Sequence, residues 1–537
     1  MPQNLPFDDE SLGNRWLLLA VFVLVSGHYS NGAKILVLFP HSSEGHFAVM
    51  RTLVAELAQR DNQVSVYTGH GLGESLENVN ETVTAEYPFW SELQKEAVPK
   101  GNLADLGLIS IENLRQALAT VGARALDHFL AQEPIQKLLK MSYIEFDYDV
   151  ILVDYFYTEA LLALGLLHQR PVVGIVSTDF GGYMDAVQEA LVPAACAPVD
   201  FEHDVPQLGF TERLGYIRRC IARRKQFDKD HYGAQKKLVA KHFKIQNNIP
   251  ELQANQLSLL LLNSHVPLMT PRVSIPQIVP AGGLHIRGPK ELPWNIKRFL
   301  EEERPGTIYV QLGNEQPCGK LPKKKLEALF TFFSSRKEGF IWTCHDVKTL
   351  KDLPKNVMIQ HAVPQIDILA YPSMKAFLTN GDLLNLQEGI IRNVPILGLP
   401  LFQHEKKNLE LAVRLGVGIQ LDENNVTSTS LNWAVDRLLK ESHFQLNIRE
   451  VSQEYRDRPL GALASALFWV NYVVRHKGGA AVRTRGIGIS SSELHLFDLV
   501  VFYGIVATIV VGFLTALTIG GIYLWQKKNN AILTKQK

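Results

Sequence analysis

Cysteine is scarce in this chain: four residues in 537, Cys196, Cys220, Cys318 and Cys344, none in a CxxC spacing. A zinc site built on paired thiolates and a dithiol redox motif are therefore excluded. Four buried thiols is the preferred reading; a pairing of Cys196 with Cys220 in an oxidising compartment is the alternative that sequence does not decide. Net charge is slight as well, formally +1. No field of one sign recruits nucleic acid or a polyanionic substrate, and no metal site is expected. Low-complexity tracts are missing until the small-residue stretch at 478–492. What the chain does have is 46% hydrophobic and 20% charged residues over 537 positions. That is an ordinary folding composition, long enough for two cores and too long for one.

The two ends set the topology. Arg15 precedes a short apolar run at 16–25, with Ser26, Gly27 and Ser30 after it, the pattern of a secretory signal. Residues 499–525 are uncharged and long enough to cross a hydrocarbon core. Lys527, Lys528, Lys535 and Lys537 follow this run while Glu493 and Asp498 precede it. The basic side belongs to the cytosol and the body to the lumen, a single-pass type I arrangement. Two glycosylation triplets, at Asn80 and Asn425, agree with a lumenal body.

Between the ends, strand and helix signals alternate. An apolar run at 35–39 precedes Phe47, Met50, Leu53, Val54 and Leu57 at helical spacing, and 63–68 alternates again, giving a βαβ unit. Strand signals at 149–154 and 171–177 flank a helical 159–167 and extend a parallel sheet. After the Pro/Gly-rich stretch at 280–293 a second cycle brings strand candidates at 307–312, 339–343, 357–360, 376–379 and 394–399. The expected architecture is α/β, with two Rossmann-like doubly wound halves facing a central cleft, plus a C-terminal transmembrane helix. Residues 212–229 carry Arg218, Arg219, Arg223, Arg224 and Lys225 among apolar positions, and read either as a solvated helix face or as a membrane-surface helix.

The stretch Phe377-Leu378-Thr379-Asn380-Gly381-Asp382-Leu383-Leu384-Asn385-Leu386-Gln387-Glu388, followed by Asn393-Val394-Pro395 and Pro400-Leu401-Phe402, resembles the nucleotide-sugar signature of the UDP-glycosyltransferases, in particular UDP-glucuronosyltransferases and their invertebrate relatives. Pro364-Gln365-Ile366-Asp367-Ile368-Leu369, the segment 306–313, Trp469 and Arg475-His476-Lys477-Gly478 support the likeness, which covers nearly the whole mature chain. It implies a GT-B fold divided as signal peptide 1–30, acceptor-binding domain 31–284, UDP-sugar domain 285–477, linker 478–497, membrane helix 498–525 and cytosolic tail 526–537. It also implies residence in the endoplasmic reticulum membrane, a UDP-sugar as donor substrate with no further cofactor, and a small lipophilic acceptor. Homo-oligomerisation is left open.

Sugar transfer to a hydroxyl needs a base for the acceptor proton, and His46 follows the loop after the first strand, where a doubly wound half displays reactive groups. Asp154 ends another strand of that half, at a position where the family has an aspartate beside the catalytic histidine, and would orient the imidazole. On the donor side the family's motif runs His-Gly-Gly, whereas this chain has Asn380, Gly381 and Asp382, with Asn385 and Glu388 beyond, the latter at the family's ribose-binding glutamate. Asn380 and Asn314 can donate amide hydrogens to a diphosphate, and Gln365 matches the family. His404 and Glu405 replace its sugar-contacting Asp-Gln pair, and Ala362 replaces a tryptophan that would stack on uracil. Asp382 either faces the phosphates and repels them or caps the following helix. Two functions follow: an inverting hexosyl- or glucuronosyltransferase, or a degenerate relative that binds a lipophile or partner without turnover.

Overall fold

The computed structural model describes residues 32–41, 44–98, 111–177, 209–269, 275–302, 305–313, 318, 321–344, 353–361, 363–422, 424–483 and 496–535. The signal-like segment, the acceptor-side loop at 179–206, Asn314 and Ala362 lie outside the described residues.

Two parallel sheets carry the body. The first has seven strands in the order β3-β2-β1-β4-β5-β6-β7: β1 Lys34–Phe39, β2 Gln63–Thr68, β3 Val79–Val83, β4 Val150–Asp154, β5 Val172–Val176, β6 Leu257–Leu262 and β7 Ile278–Pro280. The second has six in the order β10-β9-β8-β11-β12-β13: β8 Thr307–Gln311, β9 Gly339–Thr343, β10 Val357–Gln360, β11 Met374–Thr379, β12 Ile396–Gly398 and β13 Gly418–Gln420. The central strands β4, β5, β6 and β8 are buried throughout, which is why their sequences run apolar without alternation. Helices cover both faces of each sheet, so the doubly wound reading holds.

Strands missing from the sequence reading have local causes. β6 follows the helix Ile249–Gln256 with no glycine or proline between them, so its leucines read as a continuation of that helix. β3 is a polar, half-exposed edge, and β13 spans only three residues. The basic segment forms the helix Phe210–Phe227, which runs on through π-helical turns at Asp228–Tyr232 and Val239–Phe243. The helix Ala462–Arg475 returns to the first half, where Ala466, Leu467, Val470 and Val473 join the cluster of Val37, Phe47, Leu53, Leu152, Val173 and Leu261. Cys318 and Cys344 form a disulfide, which corrects the expectation of four thiols. Their pairing depends on β8 lying beside β9, and residue spacing alone does not reveal that neighbourhood. At the end of the chain, Phe497–Lys535 is one helix, of which 497–530 is long and apolar enough to cross a membrane.

Candidate functional site

In the first sheet the strand order reverses between β1 and β4, and in the second between β8 and β11. Loops at the carboxyl ends of these pairs diverge and leave a crevice, so ligands of such sheets bind there. The predicted residues fall at both places. His46 stands in the first turn of the helix Glu44–Gln59 after β1, and Asp154 is the last residue of β4. Asn380 and Gly381 follow β11, and Asn385 and Glu388 belong to the helix Leu383–Ile391.

Around His46 the walls are aromatic. Its ring meets Phe156 edge-on at 4.8 Å between centroids, and His41 approaches Phe156 at 5.3 Å and Phe89 at 5.2 Å. No ion pair joins His46 to Asp154 among the described residues. The carboxylate Oδ2 instead lies 3.8 Å from His41 Nε2, which donates to the Phe156 carbonyl at 2.5 Å. His46 Nδ1 and Asp154 Oδ2 are both buried without a hydrogen-bond partner. Burial pushes His46 down to about 3, with His41 and His404 adding like-charge repulsion, and His41 down to about 4. Burial raises the Asp154 carboxyl well above the usual carboxylate range. Both imidazoles are thus neutral near pH 7. His41 was missed by sequence reasoning, although it precedes His46 in the same loop.

The donor loop is a closed network. Gly381 has φ +92°, and a Cβ there would collide with Leu409, so glycine is required. Asn380 donates its amide to Glu405 and accepts from Asn385 Nδ2 at 3.0 Å. Glu405 Oε2 accepts the backbone N–H groups of Leu401 and Phe402 at 2.7 and 2.8 Å, so its side chain clamps the start of its own helix. Burial outweighs these bonds and pushes its carboxyl up to about 8. Asp382 Oδ1 accepts from Leu383 N at 2.9 Å, which makes it the cap of the donor helix and sets a carboxylate on that helix's first N–H. Gln365 Nε2 bridges Asn385 Oδ1 and Glu388 Oε2 at 2.8 and 2.9 Å. His404 stacks on Phe402, Phe402 stacks on Trp90 from the first half at 6.1 Å, and the His404 ring is pushed down to about 4 by burial. The structure therefore brings together Gln365, Asn380, Gly381, Asn385, Glu388 and Glu405, and sets His404 within electrostatic reach of His46.

The sequence profile of the family described as "UDP-glucoronosyl and UDP-glucosyl transferase" matches residues 33–529. Among curated proteins the chain is 28% identical to UDP-glycosyltransferase UGT4 of Dactylopius coccus over 92% of this chain and 96% of that one. It is 25% identical to UDP-glycosyltransferase UGT5 of the same insect over 91% of each. A UDP-glucuronosyltransferase of Pleuronectes platessa is 27% identical over 71% of this chain and 79% of its own. Among solved structures, the calicheamicin glycosyltransferase CalG4 superposes with a TM-score of 0.56 at 17% identity, over 82% of this chain and 98% of that one. Phytolacca americana UGT2, complexed with UDP-2fluoro-glucose and pterostilbene, gives 0.53 at 16%, over 82% and 100%. These likenesses establish the GT-B arrangement of the two sheets.

Proposed function

The chain belongs to the UDP-glycosyltransferase family, enzymes of glucosyl and glucuronosyl transfer, and we propose that it moves a hexose or glucuronosyl group from a UDP-sugar to a small lipophilic acceptor with inversion. The acceptor oxygen attacks the anomeric carbon as the bond to UDP breaks, its proton passes to His46 Nε2, and UDP leaves. Inversion follows from a single displacement. Once the pair closes around substrate, the Asp154 carboxylate accepts Nδ1–H of His46 and stabilises the imidazolium.

One observation carries this reading: His46 Nδ1 and Asp154 Oδ2 are buried atoms, both without hydrogen-bond partners, at the switch point of one sheet. A buried polar atom left unpaired costs about 1–3 kcal/mol, so two of them at one ligand crevice point to a pair that closes when substrate arrives. The low proton affinity of His46 rises when the diphosphate brings negative charge into the cleft. Gln365, Asn380, Gly381, Asn385, Glu388, His404 and Glu405, with Asn314, form the donor side of this proposal.

A second reading has its own support. Asp382 already occupies the first N–H of the donor helix and Asn380 is held by Glu405, the two groups a phosphate would use. A protein with that loop locked would hold a lipophile or partner without turnover. Titration of UDP into the purified full-length protein by calorimetry, followed by release of UDP from UDP-glucose and UDP-glucuronate, separates them. Binding with turnover supports the transferase; failure of UDP to bind removes it.

The apolar helix at 497–530 supports anchoring of the body to a membrane, and exposed Asn80 and Asn425 fit a lumenal body in the endoplasmic reticulum. Protease added to sealed microsomes should remove the tail alone, and digestion of the body would reverse the orientation.

A further inference from the structure

His285 lies in the segment that joins the two sheets, and it is 8% exposed. That segment is held rigidly. The N–H groups of Gly283 and Leu284 donate to Asn263 Oδ1 at 2.8 and 3.3 Å. On its far side Arg287 grips Asp367 with two bonds, at 2.7 and 2.8 Å, and Lys290 N adds a third. Between these clamps the His285 ring is delivered to the donor helix. Its Nε2 lies 3.4 Å from Glu388 Oε1, and the ring is within electrostatic reach of the Asp382 carboxyl at the head of that helix. Neither ring nitrogen makes a hydrogen bond.

A buried imidazole with two idle nitrogens is costly to fold, and its surroundings define what would complete it. The nearest cations are committed elsewhere. Arg287 is spent on Asp367, and Arg392 donates to the carbonyls of Ile366 and Arg287. Glu388 lies against the ring and Asp382 within its electrostatic reach, so an anion entering at the helix head meets two carboxylates; Arg287 and Arg392 act on Glu388, but their hydrogen bonds are spent on Asp367 and on backbone carbonyls. Where the family's motif opens with histidine, this chain has Asn380, whose amide is bound to Glu405.

We propose that His285 is a donor-binding residue, which as an imidazolium donates one N–H to Glu388 and the other to the diphosphate of a nucleotide sugar. The inference rests on the transferase reading above and names the group that replaces the missing histidine of the donor motif. The same ring orients Glu388, whose other oxygen is fixed by Gln365, toward a ribose diol.

UDP and uridine are the probes, titrated by calorimetry into full-length wild-type protein and His285→Gln, with a melting curve on each. A lost charge-assisted hydrogen bond should weaken UDP at least about tenfold. Uridine, which lacks the phosphates, should change by no more than about twofold. Should the glutamine variant melt early, His285→Asn keeps a shorter amide in its place and the same comparison applies. In the Asp382→Gly background the loss for UDP should shrink, because the imidazolium no longer offsets that carboxylate. An unchanged UDP affinity in either folded variant, or equal losses for UDP and uridine, overturns the assignment while the transferase reading stands. Wild-type protein that binds uridine but not UDP, or neither, overturns both.

Discussion

The two switch points of this molecule are finished differently. At the first, between β1 and β4, the chemical groups are left incomplete: His46 Nδ1 and Asp154 Oδ2 have no partner, and the nearby His41 spends its N–H on a backbone carbonyl. At the second, between β8 and β11, almost everything is already bonded: Asn380 to Glu405, Asn385 to Asn380, Gln365 to Glu388, Asp382 to the helix it caps. Unpaired buried groups store a cost that a ligand can repay, whereas a closed network must be opened before it can bind. In the proposed reaction the first half supplies proton transfer, and donor affinity is decided by how readily the second half exchanges internal bonds for those of a diphosphate.

The largest break in this contrast is His46→Ala. If the first switch point supplies the base, turnover should fall on the order of 100-fold or more, since general-base catalysis contributes about that much. UDP affinity should barely move, because the proposed nucleotide site is on the other sheet. Asp154→Asn should show an equal or smaller loss of turnover. Steady-state rates beside UDP calorimetry give the answer, and unchanged turnover in His46→Ala would take the chemistry away from this loop.

The contrast also explains what the sequence could and could not tell. Strand positions are legible because parallel strands between helices read as apolar runs, so Asp154 falls at a strand end and His46 just after one by pattern alone. Their relation to each other is not legible. It depends on which rotamers the aromatic wall of Phe89 and Phe156 permits, and on His41, which entered no sequence argument. In the donor loop, the identities of Asp382 and Glu405 announced a departure from the family, yet only the fold decides their direction. Asp382 turns to Leu383 N and Glu405 turns inward to two backbone N–H groups. His285 escaped altogether, because a histidine in a Pro/Gly-rich connector gains meaning only once Glu388 is beside it.

A smaller effect sharpens the contrast from the donor side. Asp382→Gly removes a carboxylate from the first N–H of the helix Leu383–Ile391 and frees that donor for phosphate. UDP should bind several-fold tighter. Stability should fall only slightly, since replacing a capping side chain by glycine typically loses a few tenths of a kcal/mol. Calorimetry with a melting curve reads both. A flat affinity with a lower melting temperature would make Asp382 a cap and nothing more.

Trp90 and Phe402 stack across the two halves, and an aromatic pair is worth roughly 0.5–1.5 kcal/mol beyond its buried area. Trp90→Ala should therefore raise the acceptor KM about two- to tenfold and leave UDP affinity alone. Equal losses on both substrates would mean that the stack holds the halves together and does not shape the acceptor side.

The smallest effect expected is thermal, and it tests whether the closed network holds a proton. Burial raises the Glu405 carboxyl from 4.5 to about 8 in the fold. The folded state therefore binds a proton more tightly than the unfolded chain, and this contribution is whole below pH 4.5 and declines as pH rises through 8. His41, His46 and His404 have the opposite sign: their folded values of about 4, 3 and 4 lie below the ordinary 6.5, so their contribution is whole above pH 6.5 and is lost as pH falls toward 4. The histidines' slope fades between about pH 6.5 and 7.5 and is common to wild type and variant, so it cancels in the difference between them. Asp154, raised by burial, adds the same slope to wild type and a Glu405 variant, whereas Asp382 acts on Glu405, so the variant reads the two together. Glu405→Gln removes one titrating group and keeps an oxygen for the N–H groups of Leu401 and Phe402. From about pH 6.5 to 8.5 the variant should gain on wild type by about 2 kcal/mol, about 4 °C in melting temperature at about 2 °C per kcal/mol. A gap that stays constant from about pH 6.5 to 8.5 would mean that the three hydrogen bonds to Glu405 keep it ionised throughout. The donor loop would then hold a permanent negative charge that any diphosphate must meet.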